Sequence, residues 1–332
     1  MPILDLTQLV VGQRVQHELM VLDRAERKQA TGDPFVVLTF GNATGRIDTA
    51  PIWSDKLSWA DGAERGRVVQ VIGDVGAYRG KRQIQLTSPL RIIPADQVRL
   101  DDFVARISEN PARLWDWVDR TRAEMTSTTL QRVVDLFFRD DVFRERFERT
   151  PGSVVGHHAQ VGGLLKHIVE VTAVAKSAAR ALQANADLVV TGALLHDIGK
   201  VEAYTIDRGA FAYTAQGNLI GHVVLGCLML TDRVASATAT ATATGPVCTP
   251  EQLLELQHMI LSHHGTMELG SPVRPMTTEA ELVHWADEVS AKGNDMLESI
   301  ADDAEFALGG EFSDRRPWRV GHRIWRRPHD WP

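Results

Sequence analysis

The sequence predicts a multidomain chain, a small closed β-barrel at the N-terminus followed by an all-α domain. Three observations predict it. Apolar and polar residues alternate from Gln13 to about Pro94, the period of half-buried strands. Beyond that point the apolar positions recur at helical spacing, and helix caps with glycine or proline breaks punctuate the second stretch. The 332 residues suffice for two cores at about 100–200 residues per domain.

The barrel is assigned to residues 1–95. Strands are expected near 14–23, 34–41, 46–53, 67–75 and 82–92, parted by turn signals at Thr31-Gly32-Asp33-Pro34, Gly41-Asn42-Ala43-Thr44-Gly45, Asp61-Gly62 and Tyr78-Arg79-Gly80-Lys81. About five short strands in fewer than about 100 residues fit a small barrel, of which the OB-fold is the commonest. On the last turn, the Tyr78 ring is suited to stack a base, and Arg79, Lys81 and Arg82 are suited to track a phosphate backbone; a solvated hairpin tip is the plainer alternative.

Residues 96–150 carry connecting helices, with Leu114, Trp117, Val118, Val133, Val134, Phe137 and Phe138 at apolar positions. Residues 151–309 form the all-α domain. Thr249-Pro250-Glu251-Gln252 and Thr278-Glu279-Ala280-Glu281 read as capping boxes. The alternating Ala/Thr run at 235–245 has little apolar bulk and is expected to be a flexible loop. The Arg- and Trp-rich tail, 310–332, is expected to pack on the helical domain, with RNA contact as the alternative.

Lys and Arg total 36 against 43 Asp and Glu, a net charge of −7, which argues against a protein coated with bulk nucleic acid while leaving a local groove open. The two cysteines, Cys227 and Cys248, form no CxxC pair, so a disulfide framework and a thiolate zinc site are excluded. The start lacks a basic n-region and no apolar run approaches about 18 residues, so a cytoplasmic protein without membrane insertion is expected.

His167, His222 and Asp287 fall on otherwise apolar helix faces. A lone buried carboxylate is costly, so several such residues in one domain suggest a shared partner, either a paired charge or a metal. The sharpest motif is Ala193-Leu194-Leu195-His196-Asp197-Ile198-Gly199-Lys200, an apolar helix ending in adjacent His and Asp and stopped by glycine. It resembles the signature of the HD metallophosphohydrolase superfamily. That resemblance implies a first metal held by His167, His196, Asp197 and Asp287. Gly221-His222 and Leu261-Ser262-His263-His264-Gly265 resemble the binuclear branch, which implies a second metal held by His222 and His263, with His264 alongside and Asp197 bridging.

An all-nitrogen-and-oxygen set suits two divalent transition-metal ions, Mn²⁺ first and Fe²⁺, Co²⁺, Ni²⁺ or Zn²⁺ as alternatives. Two ions about 3.5–4 Å apart can share a hydroxide nucleophile and stabilise charge at phosphorus. Related HD phosphodiesterases imply that Lys200 contacts the scissile phosphate or protonates the leaving oxygen, which makes Asp197 and Lys200 the candidate catalytic pair; an exposed lysine past the helix end is the plainer alternative for Lys200.

Four longer runs, 156–167, 216–222, 260–273 and 279–287, resemble the YhaM-type 3′-5′ exoribonucleases, which place an OB domain before an HD domain. The resemblance implies hydrolysis of single-stranded RNA, with DNA as a second substrate, to 5′-mononucleotides. It implies a substrate-facing role for His157 and His158, beside which a capping or turn role stands as the equal alternative, and it leaves a homo-oligomer open. Two rivals stand beside it: an HD phosphohydrolase of cyclic or deoxynucleoside phosphates with a regulatory barrel, and a non-catalytic nucleic-acid-binding adaptor.

Overall fold

The N-terminal alternation becomes five long strands, β1 (Arg14–Lys28), β2 (Pro34–Asn42), β3 (Gly45–Thr49), β4 (Val68–Tyr78) and β5 (Lys81–Leu86), with a two-residue β6 (Arg91–Ile92). This computed structural model describes residues 3–29, 31–78, 80–98, 103–207, 210–240, 245–302, 305–306, 310–314, 316–317 and 320–331. Arg79, residues 241–244 of the Ala/Thr run and parts of the C-terminal tail lie outside the described residues.

Strand β1 pairs antiparallel with β4 through Arg14–Met20 and with β2 through Met20–Lys28, and β3 meets β5 in parallel, so the sheet closes. A register shift between Val21 and Asp23 marks the bulge that lets one strand serve two neighbours. That bulge, followed by the charged run Asp23-Arg24-Ala25-Glu26-Arg27-Lys28, hides from the sequence pattern that β1 continues past 23. The stretch expected as one strand over 82–92 is instead β5 and β6. Between them lies Ser88-Pro89, where proline offers no N–H to a ladder. Inward residues including Val15, Leu19, Phe40, Val71 and Ile84 form the barrel core.

Two compact units divide the chain. The first is Met1–Ala105 with Ile206–Ala210 and Ser299–Pro332; the second is Arg106–Thr205 with Phe211–Glu298. The tail therefore groups with the barrel segment, not with the helical domain as expected. Within it Ser313 and Ile324 hydrogen-bond and Arg323 lies over the Phe312 ring, which accounts for the mixture of cations and aromatics.

The helical unit contains α1 (Pro111–Ala123), α2 (Thr128–Phe138), α3 (Asp141–Arg149), α4 (Gly163–Leu182), α5 (Ala186–Leu195), α6 (Lys200–Ala203), α7 (Ala215–Leu219), α8 (His222–Thr240), α9 (Pro250–Ser262) and α10 (Thr278–Ala301) as far as Glu298. The helices expected as connectors share its core: Trp115, Val118, Val134, Phe137 and Phe147 cluster with Leu164, Ile168, Leu194, Met259 and Val283. Burying that apolar face makes α1–α3 part of the unit. The capping box at Thr249 is present. At α10 the cap is Thr277, one residue before the expected one, its hydroxyl accepting from the Ala280 N–H.

Two expectations need correction. The Ala/Thr run is helical as far as Thr240, because alanine is the strongest helix former and Val234 and Ala237 pack on the core. The all-α expectation is also broken after α6 by a two-stranded sheet, β7 (Tyr204–Asp207) with β8 (Ala210–Tyr213), whose aromatic and β-branched residues favour strands. Helix α8, with 19 residues and a mean hydropathy of 1.2, is long and apolar enough to cross a membrane by length and composition alone. It carries Asp232 and Arg233, and Val223, Leu225, Leu230 and Val234 are buried along it.

Candidate metal centre

Helix α5 is buried from Leu188 to Leu195 and so drives the following His196 and Asp197 into the interior, at 0% and 1% exposure. Gly199 then lets α8 approach: a β-carbon there would run into the His222 carbonyl and the Gly226 amide. This contact sets the first residue of α8, His222, against Asp197. His167 comes from α4, His263 and His264 from the end of α9, and Asp287 from α10.

Asp197 is the hub. Its Oδ2 lies 3.1 Å from His196 Nε2 and 3.3 Å from His167 Nε2, while Oδ1 lies 3.4 Å from His222 Nε2 and 3.7 Å from His263 Nε2. His167 Nε2 also stands 3.1 Å from Asp287 Oδ1. Three overlapping groups have ligand atoms within 4.8 Å of one another: His167, His196 and Asp197; His196, His263 and Asp287; and His222, His263 and His264. The structure thus brings together all seven residues named for the two ions. Lys200 Nζ is 2.6 Å from Asp197 Oδ2.

Crowding charge into this buried cluster shifts its groups. Burial works to lower the His167 imidazole, yet its hydrogen bonds with Asp197 and Asp287 carry it up to about 9. Burial pushes His222 down to about 3 and His263 well below the usual imidazole range. For Asp197 burial acts upward, but Lys200 and the imidazoles hold it well below the usual carboxylate range. Lys200 is raised because Asp197 outweighs the desolvation of its ammonium.

The donor set fits divalent metal ions on a direct observation. Among the described residues, the buried Asp197 Oδ1 and the buried Nε2 atoms of His222 and His263 have no hydrogen-bond partner. Buried polar atoms without partners are expensive, and a cation between them would satisfy three at once.

Around the cluster, His157 gives its backbone N–H to Asp295 Oδ1 at 2.9 Å, and its Nδ1 lies 3.2 Å from Oδ2. His158, for which the sequence left a substrate-facing role and a capping or turn role open, is 3% exposed and donates its Nε2–H to Glu170 at 3.0 Å. Its φ of 55° places it in the left-handed region, with its carbonyl accepting from Gly152 and Gln160. Burial lowers the His158 imidazole.

Four neighbours escaped the sequence reading: Glu170, Ser290, Asp295 and Tyr204, whose ring lies 6.3 Å from His222. Only Glu170, one helical turn after His167, carried a local signal. On the barrel, Tyr78 is 61% exposed and Lys81 is exposed, whereas the Arg82 guanidinium donates to the carbonyls of Thr7 and Leu9 and ties down the N-terminal segment.

Comparison with known proteins places this geometry. The HD domain family matches residues 164–292, which contain all seven clustered residues and Lys200. The 3′-5′ exoribonuclease YhaM of Bacillus subtilis strain 168 is 31% identical over 92% of both chains. The same-named proteins of Bacillus pumilus strain SAFR-032 and Shouchella clausii strain KSM-K16 are 30% and 32% identical, over 92% of this chain and 92% and 91% of theirs. With barrel and HD region in one chain and similarity along nearly all of it, this protein belongs to the family of YhaM 3′-5′ exoribonucleases.

Proposed function

We propose that this chain removes nucleotides from the 3′ end of single-stranded RNA by metal-dependent hydrolysis. The observation that carries the reading is the division of Asp197, one oxygen facing His167 and His196, the other facing His222 and His263. In the proposal His167, His196, Asp197 and Asp287 hold one divalent ion, and His222, His263 and His264, with Asp197 shared, hold the second. Manganese is the proposed metal; iron, cobalt, nickel and zinc suit the same donors. Ions bound there would supply Lewis acidity and a water nucleophile active at neutral pH.

The chain's own groups do the rest. Asp197, kept ionised, offers both oxygens at once. Lys200, kept protonated by Asp197, sets a fixed positive charge beside the phosphate and stabilises the charge that develops on its oxygens. The bond from phosphorus to the 3′-oxygen of the penultimate nucleotide breaks, and that oxygen takes a proton from Lys200 or from His157, whose ring Asp295 orients. A 5′-mononucleotide leaves. The barrel holds the strand by stacking on Tyr78 and by charge from Lys81 and Arg79. Acceptance of single-stranded DNA, a homo-oligomeric state and a cytoplasmic site of action complete the proposal.

The test is incubation of a 5′-labelled and a 3′-labelled RNA strand with the protein and Mn²⁺. Progressive shortening of the first and immediate release of a labelled mononucleotide from the second are expected. Hydrolysis of free cyclic or deoxynucleoside phosphates with intact RNA would overturn the reading in favour of a small-nucleotide phosphohydrolase.

A further inference from the structure

An imidazole that binds a metal must present a lone pair on one nitrogen, and a hydrogen bond from the other decides which. His196, His263 and His264 meet this with backbone carbonyls, their Nδ1 atoms lying 2.7 Å from the oxygens of Ala193, Ile260 and Leu269. For His196 and His263 these are carbonyls of the last helical turn, free of intrahelical partners. Among the described residues His167 has no such carbonyl neighbour. It is the fifth residue of the twenty-residue α4, where main-chain carbonyls are engaged along the helix.

We infer that Ser290 and Glu170 act as a side-chain relay that fixes the proton of His167 on Nδ1 and leaves Nε2 to bind the ion. The relay rests on the proposed ligand role of His167 and deepens it by naming what positions that ligand.

Direction follows from what each atom can do. His167 Nδ1 lies 3.1 Å from Ser290 Oγ, and that hydroxyl lies 2.7 Å from Glu170 Oε2. A serine hydroxyl has one proton, and a carboxylate only accepts. The Ser290 proton therefore points at Glu170, and the Ser290 lone pair receives the Nδ1–H of His167. Nε2 is left toward Asp197 and Asp287, at 3.3 and 3.1 Å.

The carboxylate is itself held in place. Asn294 Nδ2 donates to the same Oε2 at 2.8 Å and His158 Nε2 at 3.0 Å, so three donors converge on one oxygen. Burial works to raise Glu170, but these donors keep it ionised, with a pKa of about 2. The buried, left-handed His158 thereby helps to hold the carboxylate that orients Ser290 and, through it, His167. Ser290 is 5% exposed, so water does not readily replace it.

Ser290→Ala tests the relay in the full chain, with Ser290→Thr as the conservative rescue and Ser290→Cys, similar in size but weak in hydrogen bonding, if the alanine variant loses helical content. Mn²⁺ titration is expected to show binding at the His167 site weakened about 10–100-fold in Ser290→Ala, with the other ion unaffected and binding restored in Ser290→Thr. Imidazole nitrogen NMR of the metal-free protein, above the pH at which His167 loses its extra proton, should show the proton on Nδ1 in the parent and a mixture of tautomers in Ser290→Ala. Parent-like Mn²⁺ affinity together with an unchanged Nδ1–H signal in Ser290→Ala would overturn the relay. If His167→Ala binds Mn²⁺ as the parent does, the ligand role fails instead, and the nitrogen spectrum alone still decides whether Ser290 and Glu170 fix the tautomer.

Discussion

His222 Nε2 stands 3.4 Å from Asp197 Oδ1, while the other Asp197 oxygen faces His167 and His196. One carboxylate thus joins two groups of imidazoles that the chain separates widely. Asp197→Ala should therefore abolish metal loading at both positions and lower RNA hydrolysis by about 10³-fold or more, with helical content retained. Elemental analysis beside a nuclease assay decides it, and full activity in the variant would sink the shared-carboxylate arrangement.

The two groups should also separate by mutation. His222→Ala or His263→Ala is expected to lower the bound metal from two ions toward one. His167→Ala or Asp287→Ala should disrupt the other position. Equal stoichiometry in all four variants and the parent would show that these side chains are not ligands.

Proton release should accompany loading. In the metal-free protein the His167 pKa is raised to about 9, so His167 is protonated at neutral pH and must lose that proton to bind an ion. His222, pushed down to about 3, is already neutral. Mn²⁺ affinity should thus rise about tenfold per pH unit from neutrality and level off near pH 9. The stability linkage has the opposite slope. A raised folded-state pKa stabilises the metal-free protein fully below the ordinary 6.5, and that contribution disappears as pH climbs through about 9. Calorimetry in two buffers of different ionisation enthalpy measures the proton. Mn²⁺ binding without proton release would contradict this account.

Gly199 carries a steric prediction. Because a β-carbon would meet the His222 carbonyl and Gly226 amide, backbone rather than a movable side chain, Gly199→Ala should force α8 away from Asp197. A loss of about 1–3 kcal/mol in unfolding free energy is expected, together with weakened binding at the His222 position. A urea midpoint and ion affinity equal to the parent's would show that α8 accommodates the methyl group without moving.

The sequence revealed what was local or strongly periodic. His196-Asp197 lies at the end of a continuous apolar helix, and the barrel strands alternate cleanly wherever one face is buried. What escaped it depends on partners distant along the chain. Ser290 and Glu170 meet only because α4 and α10 pack together, across 120 positions. Strand β1 runs on through a charged segment because β2 pairs with it, and the tail's unit is set by tertiary contacts that composition does not encode. The Ala/Thr run shows the same limit: low apolar bulk suggests a loop, yet one packed face suffices to keep it helical to Thr240.

The barrel's part in holding RNA can be isolated without cutting the chain. Tyr78 is exposed at the end of β4 and Lys81 opens β5, while Arg82 is already engaged by the Thr7 and Leu9 carbonyls. Loss of a stacked base costs about 1–3 kcal/mol and loss of one phosphate contact lowers the salt slope by about 0.7 for a single strand. Tyr78→Ala should weaken binding of long single-stranded RNA with its salt slope unchanged. Lys81→Ala should weaken binding and flatten the slope. Arg82→Ala should instead reduce stability by loosening the N-terminal segment. Each variant should cleave a dinucleotide as the parent does, because the proposed ligands lie elsewhere in the chain. Strand binding measured at several salt concentrations separates these outcomes, and parent-like affinity and slope in both Tyr78→Ala and Lys81→Ala would remove this hairpin from the RNA path.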